Sequence, residues 1–268
     1  MDKLSKIFAS CRQQERAALI IFCSCGFPDL ERSEQAIEAA IEAGADIIEL
    51  GVPFSDPMAD GAVIRQASGV ALRNGATLAG ILDLAARVSH KHPETGFILF
   101  SYMNVLFNYG LDRVCRKLSA IGVDGILAVD LPLEEAAELE LPCRDNGLHL
   151  IPLVSPATSP QRAAAITARA TGFVYSVNVC GVTGVREELP AEMAAQLAEL
   201  KKISPAPVAA GFGVTDGAAA RRISQVADGV IVGSAVVKIL AREQDFQVSL
   251  EESRQFIREL ARNCRRCP

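Results

Sequence analysis

LIIFCSCGFPDLERSEQAIEAAIEAGADIIEL, running from Leu19 to Leu50, decides the fold. LIIFCS from Leu19 and DIIEL from Asp46 are short runs, nearly continuous in apolar residues. RSEQAIEAAIEAG, between them, is rich in Ala and Glu with apolar residues at helical spacing. A short strand that is apolar on both faces is buried on both, as in a parallel sheet covered by helices. The same alternation continues along the chain. Strand-like runs recur as FILFSY from Phe97, GILAVD from Gly125, LHLIPLV from Leu148, FVYSVNV from Phe173, PVAAGF from Pro207 and GVIVGS from Gly229. Eight strands each followed by a helix, with no Ser- or Pro-rich linker, predict an α/β chain folded as one (β/α)8 TIM barrel over residues 1–268. The competing open doubly wound sheet usually carries a GxGxxG turn after its first strand, and none stands there. Ahead of the barrel, Leu4, Ile7, Phe8 and Cys11 share one helical face, so an extra N-terminal helix is expected to close the bottom.

Composition narrows the function. Half of the residues are hydrophobic but only 5% are aromatic and none is Trp, so Val, Ile, Leu and Ala must fill the core. A net charge of −5 lacks the basic face of a general nucleic-acid binder. No apolar run approaches the roughly 20 residues that span a bilayer, and the N-terminus has no signal-peptide apolar region. The expectation is a soluble, cytoplasmic protein that engages neither nucleic acid nor membrane. The eight cysteines are expected to be reduced, buried thiols rather than a disulfide framework. Cys264 and Cys267 form a lone CxxC in a basic tail with no second ligand pair, so no metal site is expected. His90 and His92 lie in a polar connector and are expected to be solvated.

Two glycine-rich segments point to a phosphate. GFGV, Gly211 to Val214, follows the seventh strand, and GSA, Gly233 to Ala235, follows the eighth and opens a helix. Glycine lets backbone N–H groups approach an anion, and a helix starting at Ser234 would aim its free N–H groups and positive dipole end at the same spot. Barrels hold phosphates at those two loops more often than elsewhere. Each segment alone also reads as a tight turn; together they favour phosphate.

The second strand carries a carboxylate. In DIIEL, Ile48 and Leu50 share one face, Ile47 and Glu49 the other. With Ile48 and Leu50 against the helices, Glu49 points into the barrel mouth, where a carboxylate is costly without a task or a partner. The next loop holds Pro53, Ser55, Asp56, Pro57, Asp60 and Gly61, a composition of defined turns. Glu49 and Asp60, in different surroundings, could divide acid and base duties.

ELGVPFSDPMADG, GVTGVR from Gly181 and GFGV from Gly211 resemble, in order, the motifs of the tryptophan synthase α subunit family, and the likeness covers essentially the whole chain. The resemblance implies a carbon–carbon lyase that cleaves indole-3-glycerol phosphate to indole and glyceraldehyde 3-phosphate. It implies Glu49 as the acid–base group, Asp60 as the partner of the indole N–H, and Tyr175 beside the breaking bond. Phe22, Tyr102, Leu127 and Phe212 fall on the indole pocket, Gly184, Gly213, Gly233 and Ser234 on the phosphate contacts, and Thr183 against the catalytic carboxylate. It implies no cofactor in this chain, pyridoxal phosphate in a β subunit, an αββα heterotetramer, and partner contact through Pro53 and Asp56. The chain departs from the family pattern at Asn178, Val179 and Cys180, at Val105 and at Ala62.

The segment CGVTGVREELPAE, Cys180 to Glu192, has few apolar anchors and is expected to act as a lid over the mouth. Two rivals stay open at this point: another phosphate-binding barrel lyase or isomerase, and a catalytically weak α-like subunit that mainly activates a β subunit.

Overall fold

The computed structural model describes residues 2–177, 191–211, 213–242 and 245–266. Its strands are β1 (Ala18–Ser24), β2 (Ile47–Gly51), β3 (Gly96–Ser101), β4 (Gly125–Ala128), β5 (His149–Leu150), β6 (Leu153–Val154), β7 (Val174–Val177), β8 (Val208–Gly211) and β9 (Gly229–Val232). All pair in parallel in the order β5-β4-β3-β2-β1-β9-β8-β7-β6, with helices between successive strands except β5 and β6. The two ends of that order, β5 and β6, are consecutive in the chain, so the sheet curls back on itself as a barrel rather than lying open.

Eight strands are expected from the sequence and nine are present. The difference lies in LHLIPLV, where Pro152 has no N–H to give to a ladder. Ile151 N–H still donates to the Ile126 carbonyl at 2.8 Å, and the Pro152 carbonyl accepts from Tyr175 N–H at 2.9 Å. The fifth barrel strand is thus split in two, β5 bonded to β4 and β6 to β7.

Strand alternation sorts the apolar residues into two cores. Leu19, Ile21, Ile48, Leu50, Phe97 and Leu99 pack outward with the helices. Ile20, Ile47, Ile98, Leu127, Phe173 and Ile231 fill the barrel interior. The N-terminal helix, Lys3–Gln13, is capped by Asp2, whose carboxylate accepts from Ser5 N–H at 2.9 Å. Its Leu4, Phe8 and Cys11 join the interior core from below, with the Phe8 ring 5.8 Å from that of Phe173. Burying Leu4 and Phe8 contributes about 1.5–3 kcal/mol each. A Cβ on Gly96 would lie 2.9 Å from both Leu4 and Ile47, so the helix sits directly on the start of β3.

The same end is fastened by three aspartates. Asp46, Asp124 and Asp228 stand just before β2, β4 and β9 and accept from Leu19, Phe97 and Val208 N–H at 2.8, 2.8 and 3.1 Å. Each also meets a cation: Arg16 grips Asp46 with two hydrogen bonds, Lys3 meets Asp124, and Lys201 and Arg266 meet Asp228. In a barrel this end serves stability and leaves the opposite end free for chemistry.

Two expectations need correction. Cys264 is free and buried in the outer core, as expected of the thiols, but its basic tail is fastened to the fold: it follows the Phe246–Asn263 helix, and its carbonyl accepts from Ala17 N–H at 2.9 Å. His90 and His92 do not form a connector. His90 is exposed in the last turn of the Leu78–Lys91 helix, and His92 follows it with Nε2 buried and unpartnered. Cys11, Cys23, Cys25, Cys115 and Cys143 are free and buried, as expected; Cys180 and Cys267 lie outside the described residues.

Candidate active site

Ile48 and Leu50 pack among the helices and Ile47 joins the barrel interior, so Glu49 turns inward as its place in the strand requires. It is fully buried, level with Phe22 of β1 and Ile98 of β3, and neither carboxylate oxygen has a hydrogen-bond partner. Removing a carboxylate from water without compensation disfavours the charged form. Burial pushes the Glu49 acid up to about 8. A carboxyl that is mostly protonated at neutral pH and close to its titration point can both give and take a proton.

Asp60 reaches the site from the loop after β2. Tyr102, just beyond β3, accepts on its hydroxyl from Ala59 N–H at 3.1 Å, next to Asp60 in the loop. The Phe54 ring stacks on Tyr102 with centroids 4.9 Å apart. One tyrosine therefore sets the loop that carries the carboxylate. Burial raises the Asp60 acid, while the Tyr102 hydrogen bond and the Arg65 charge act against that rise. Tyr175 on β7 is raised well above the usual phenol range, by burial first and then by the Glu49 and Asp60 charges. Tyr175 lies within electrostatic reach of both carboxylates although the three groups come from separate elements.

Above them opens a cavity of about 590 Å³, lined among others by Phe22, Asp60, Tyr175, Gly213, Gly233 and Ser234. Glu49, Tyr102 and Leu127 are not among its lining residues. Leu127 lies in the fully buried interior layer, and Tyr102 is bonded to the Asp60 loop. On the far side of the cavity Gly213 has φ +60°, a conformation that favours glycine. A Cβ on Gly233 would lie 3.2 Å from Phe22 Cβ, which lets the chain pass close over the ring. The Ser234–Leu240 helix begins there with no side-chain cap, so its first N–H groups are available to an anion. Pro53 is buried under the loop, and Asp56 is exposed at its turn, bonded to Ser55. Thr183, Gly184 and Phe212 lie outside the described residues, as does the expected lid through Pro190.

Some lining residues were not among the expected site residues. Met58, inside the ELGVPFSDPMADG motif, is 91% exposed at the rim, an apolar side chain in a loop of turn formers. Arg162 lines the cavity and pairs with Glu134 through two hydrogen bonds of 2.6 and 2.8 Å; nothing local in the sequence announces this. Gly51 was likewise unremarked. A Cβ there would lie 2.3 and 2.5 Å from two atoms of the Phe22 ring. Gly51→Ala must therefore displace that ring toward the cavity, and it is expected to lower stability by about 1–3 kcal/mol in denaturant unfolding. An unchanged midpoint would show that Phe22 moves aside without cost.

Known proteins share this sequence pattern and fold. Residues 8–265 match the family model described as tryptophan synthase alpha chain. The chain is 44% identical over 242 residues to the tryptophan synthase alpha chain of a Picosynechococcus species, covering 90% of this chain and 91% of that one. It is 42% identical over 261 residues to that of Xanthomonas axonopodis pv. citri, covering 97% of each. Among solved structures, Mycobacterium tuberculosis tryptophan synthase superposes with a TM-score of 0.90 at 37% identity, over 98% of both chains. The alpha subunit from Legionella pneumophila str. Paris gives a TM-score of 0.90 at 30% identity, over 98% of both. By both sequence and fold, the chain belongs to the tryptophan synthase alpha chain family.

Proposed function

We propose that Glu49 and Asp60 carry out the reaction of this family, the retro-aldol cleavage of indole-3-glycerol phosphate to indole and glyceraldehyde 3-phosphate in tryptophan biosynthesis. The observation that carries the assignment is Glu49, buried at the barrel mouth with both oxygens unpartnered. Breaking the C–C bond requires a proton on indole C3 and loss of a proton from the hydroxyl on the carbon that becomes the aldehyde. Glu49 in its acid form gives the first proton. The carboxylate left behind takes the second as the bond breaks, which restores the acid. Asp60 accepts a hydrogen bond from the ring N–H and stabilises positive charge on the protonated ring. Tyr175 flanks the breaking bond. Phe22, Tyr102, Leu127 and Phe212 hold the indole, and backbone N–H groups at Gly184, Gly213, Gly233 and Ser234 hold the phosphate, with Thr183 set against Glu49.

The reaction has a pH signature. The free enzyme must hold Glu49 protonated for the first step, and its acid lies at about 8. We expect kcat/KM for indole release to fall as pH rises through about 8. A profile flat to pH 9 would separate Glu49 from that step.

The family's partner is a β subunit, and pyridoxal phosphate belongs to that chain rather than to this one. We read Pro53 and Asp56 as contacts to it, in an α2β2 assembly. Residues 1–268 are taken as a single folding unit working in the cytoplasm. No described helix is long and apolar enough to cross a membrane. The deciding assay is indole release by the purified chain from indole-3-glycerol phosphate, with and without a β subunit. Absence of indole in both would leave only the role of an activator.

A further inference from the structure

Cys115 lies in the Leu111–Ala120 helix and Cys143 in the Ala137–Asp145 helix, on neighbouring outer elements of the barrel. Both are buried, and their sulfurs are 3.9 Å apart. Among the described residues no other two cysteines have sulfurs in contact. A thiolate on either sulfur is stabilised by the S–H of the other. That hydrogen bond holds Cys115 below the usual thiol range and Cys143 above it.

One sulfur of the pair, that of Cys143, is also reachable. Cys143 lines a cavity of about 330 Å³ between its own helix, β5–β6 and the Pro160–Thr167 helix. The walls are mainly apolar, with Arg144, Arg169 and Glu140 among the lining residues. A space of roughly 10–15 Å³ already holds one water-sized molecule, so hydrogen peroxide has ample room beside the Cys143 sulfur. Cys23, by contrast, borders a cavity of only about 10 Å³. Leu131, Leu133, Leu153 and Ile166 line this cavity and the active-site cavity alike, so the pair stands behind a wall of the active site.

We propose that Cys115 and Cys143 form a dithiol modification site that small peroxides convert to a disulfide joining the two helices. With the shared proton on Cys115, the Cys143 sulfur at the cavity wall attacks one peroxide oxygen, the O–O bond breaks, and the departing hydroxide takes up a proton. A sulfenic acid and one water result. The second sulfur attacks the sulfenic sulfur; the S–O bond breaks, and hydroxide leaves with the thiol proton as a second water. Two thiols lose two electrons, and one peroxide becomes two waters. The sulfurs must close from 3.9 Å to a bond of about 2.05 Å, which side-chain rotation and a small helix shift supply.

The full chain, folded in buffer, is treated with hydrogen peroxide, quenched, alkylated in denaturant and mapped by mass spectrometry. The expected product is a Cys115 peptide joined to a Cys143 peptide, lighter by two hydrogens. It should form before Cys11, Cys23, Cys25 or Cys264 changes, and dithiothreitol should reverse it. The cross-linked chain should melt several degrees higher, because the bond ties together positions 28 apart in the unfolded chain. Cys115→Ser and Cys143→Ser should each lose the joined peptides, and Cys115→Ser should leave a sulfenic acid that dimedone traps on Cys143. Two results would overturn the proposal: Cys143 oxidised to sulfinic acid while Cys115 remains alkylatable in the unmutated chain, or earlier loss of any of those four other buried thiols.

Discussion

Glu49→Gln should cost about 10²–10⁴ in kcat for indole release while substrate still binds. Glutamine keeps the size of the side chain and loses only the exchangeable proton, so the loss belongs to chemistry rather than packing. The same substitution should stabilise the fold, and the sign can be worked out. In the unfolded chain a glutamate titrates near 4.3, whereas in the folded chain burial holds Glu49 up to about 8. Between those values the unfolded state releases a proton that the folded state keeps, so the wild-type fold loses stability as pH rises from about 4.3 to about 8. Gln does not titrate. The mutant should match the wild type near pH 4 and exceed it by about 3 kcal/mol at pH 7 in denaturant unfolding. An inactive but more stable protein is the result expected when a site gives up stability for function. A mutant that keeps most of its activity would take Glu49 out of the mechanism. Equal stability at pH 4 and pH 7 would mean that the folded carboxyl is ionised after all.

Ser234→Asp should raise KM by roughly 10², leave kcat within a few-fold, and leave the fold intact. Ser234 is exposed at the first turn of its helix, so a carboxylate there loses little hydration and interacts favourably with the helix dipole. It would stand where the substrate phosphate should sit, and two like charges about 4 Å apart repel by about 4 kcal/mol at an effective dielectric constant near 20. Ser234→Ala is the control. It keeps the backbone N–H that is proposed to bind the anion and loses only the hydroxyl, so its KM should change far less than that of the aspartate. If both variants bind substrate as the wild type does, the phosphate lies elsewhere in the cavity.

Much of the fold could be read from the residues because its causes are local. Apolar runs such as LIIFCS and DIIEL were legible as strands buried on both faces, and the alternation within DIIEL turned Glu49 inward on its own. The N-terminal helix showed its apolar stripe, and that stripe is the face that plugs the barrel. Proline at position 152 was visible too, but its consequence was not. Splitting one strand into β5 and β6 depends on which neighbour each half can still bond.

The site was legible as a set of residues and not as an arrangement. Glu49 and Asp60 stood out within a motif and Tyr102 and Tyr175 only through the family resemblance, while Gly51 and Met58 passed unselected inside that same motif and Arg162 lay in none. Thr183, Gly184 and Phe212 still rest on motif resemblance alone. What the chain determined by itself was periodicity, and with it the element type and the facing of each strand residue, because those follow from backbone geometry repeated every two or 3.6 residues. What only the tertiary structure decided were quantities set by distant neighbours. The acidity of Glu49 comes from the burial that the closed barrel imposes on it. The setting of Asp60 comes from a tyrosine just beyond the next strand, and the meeting of Cys115 with Cys143 from two helices packing side by side. Desolvation and contact are properties of the folded neighbourhood, and no local stretch of sequence contains them.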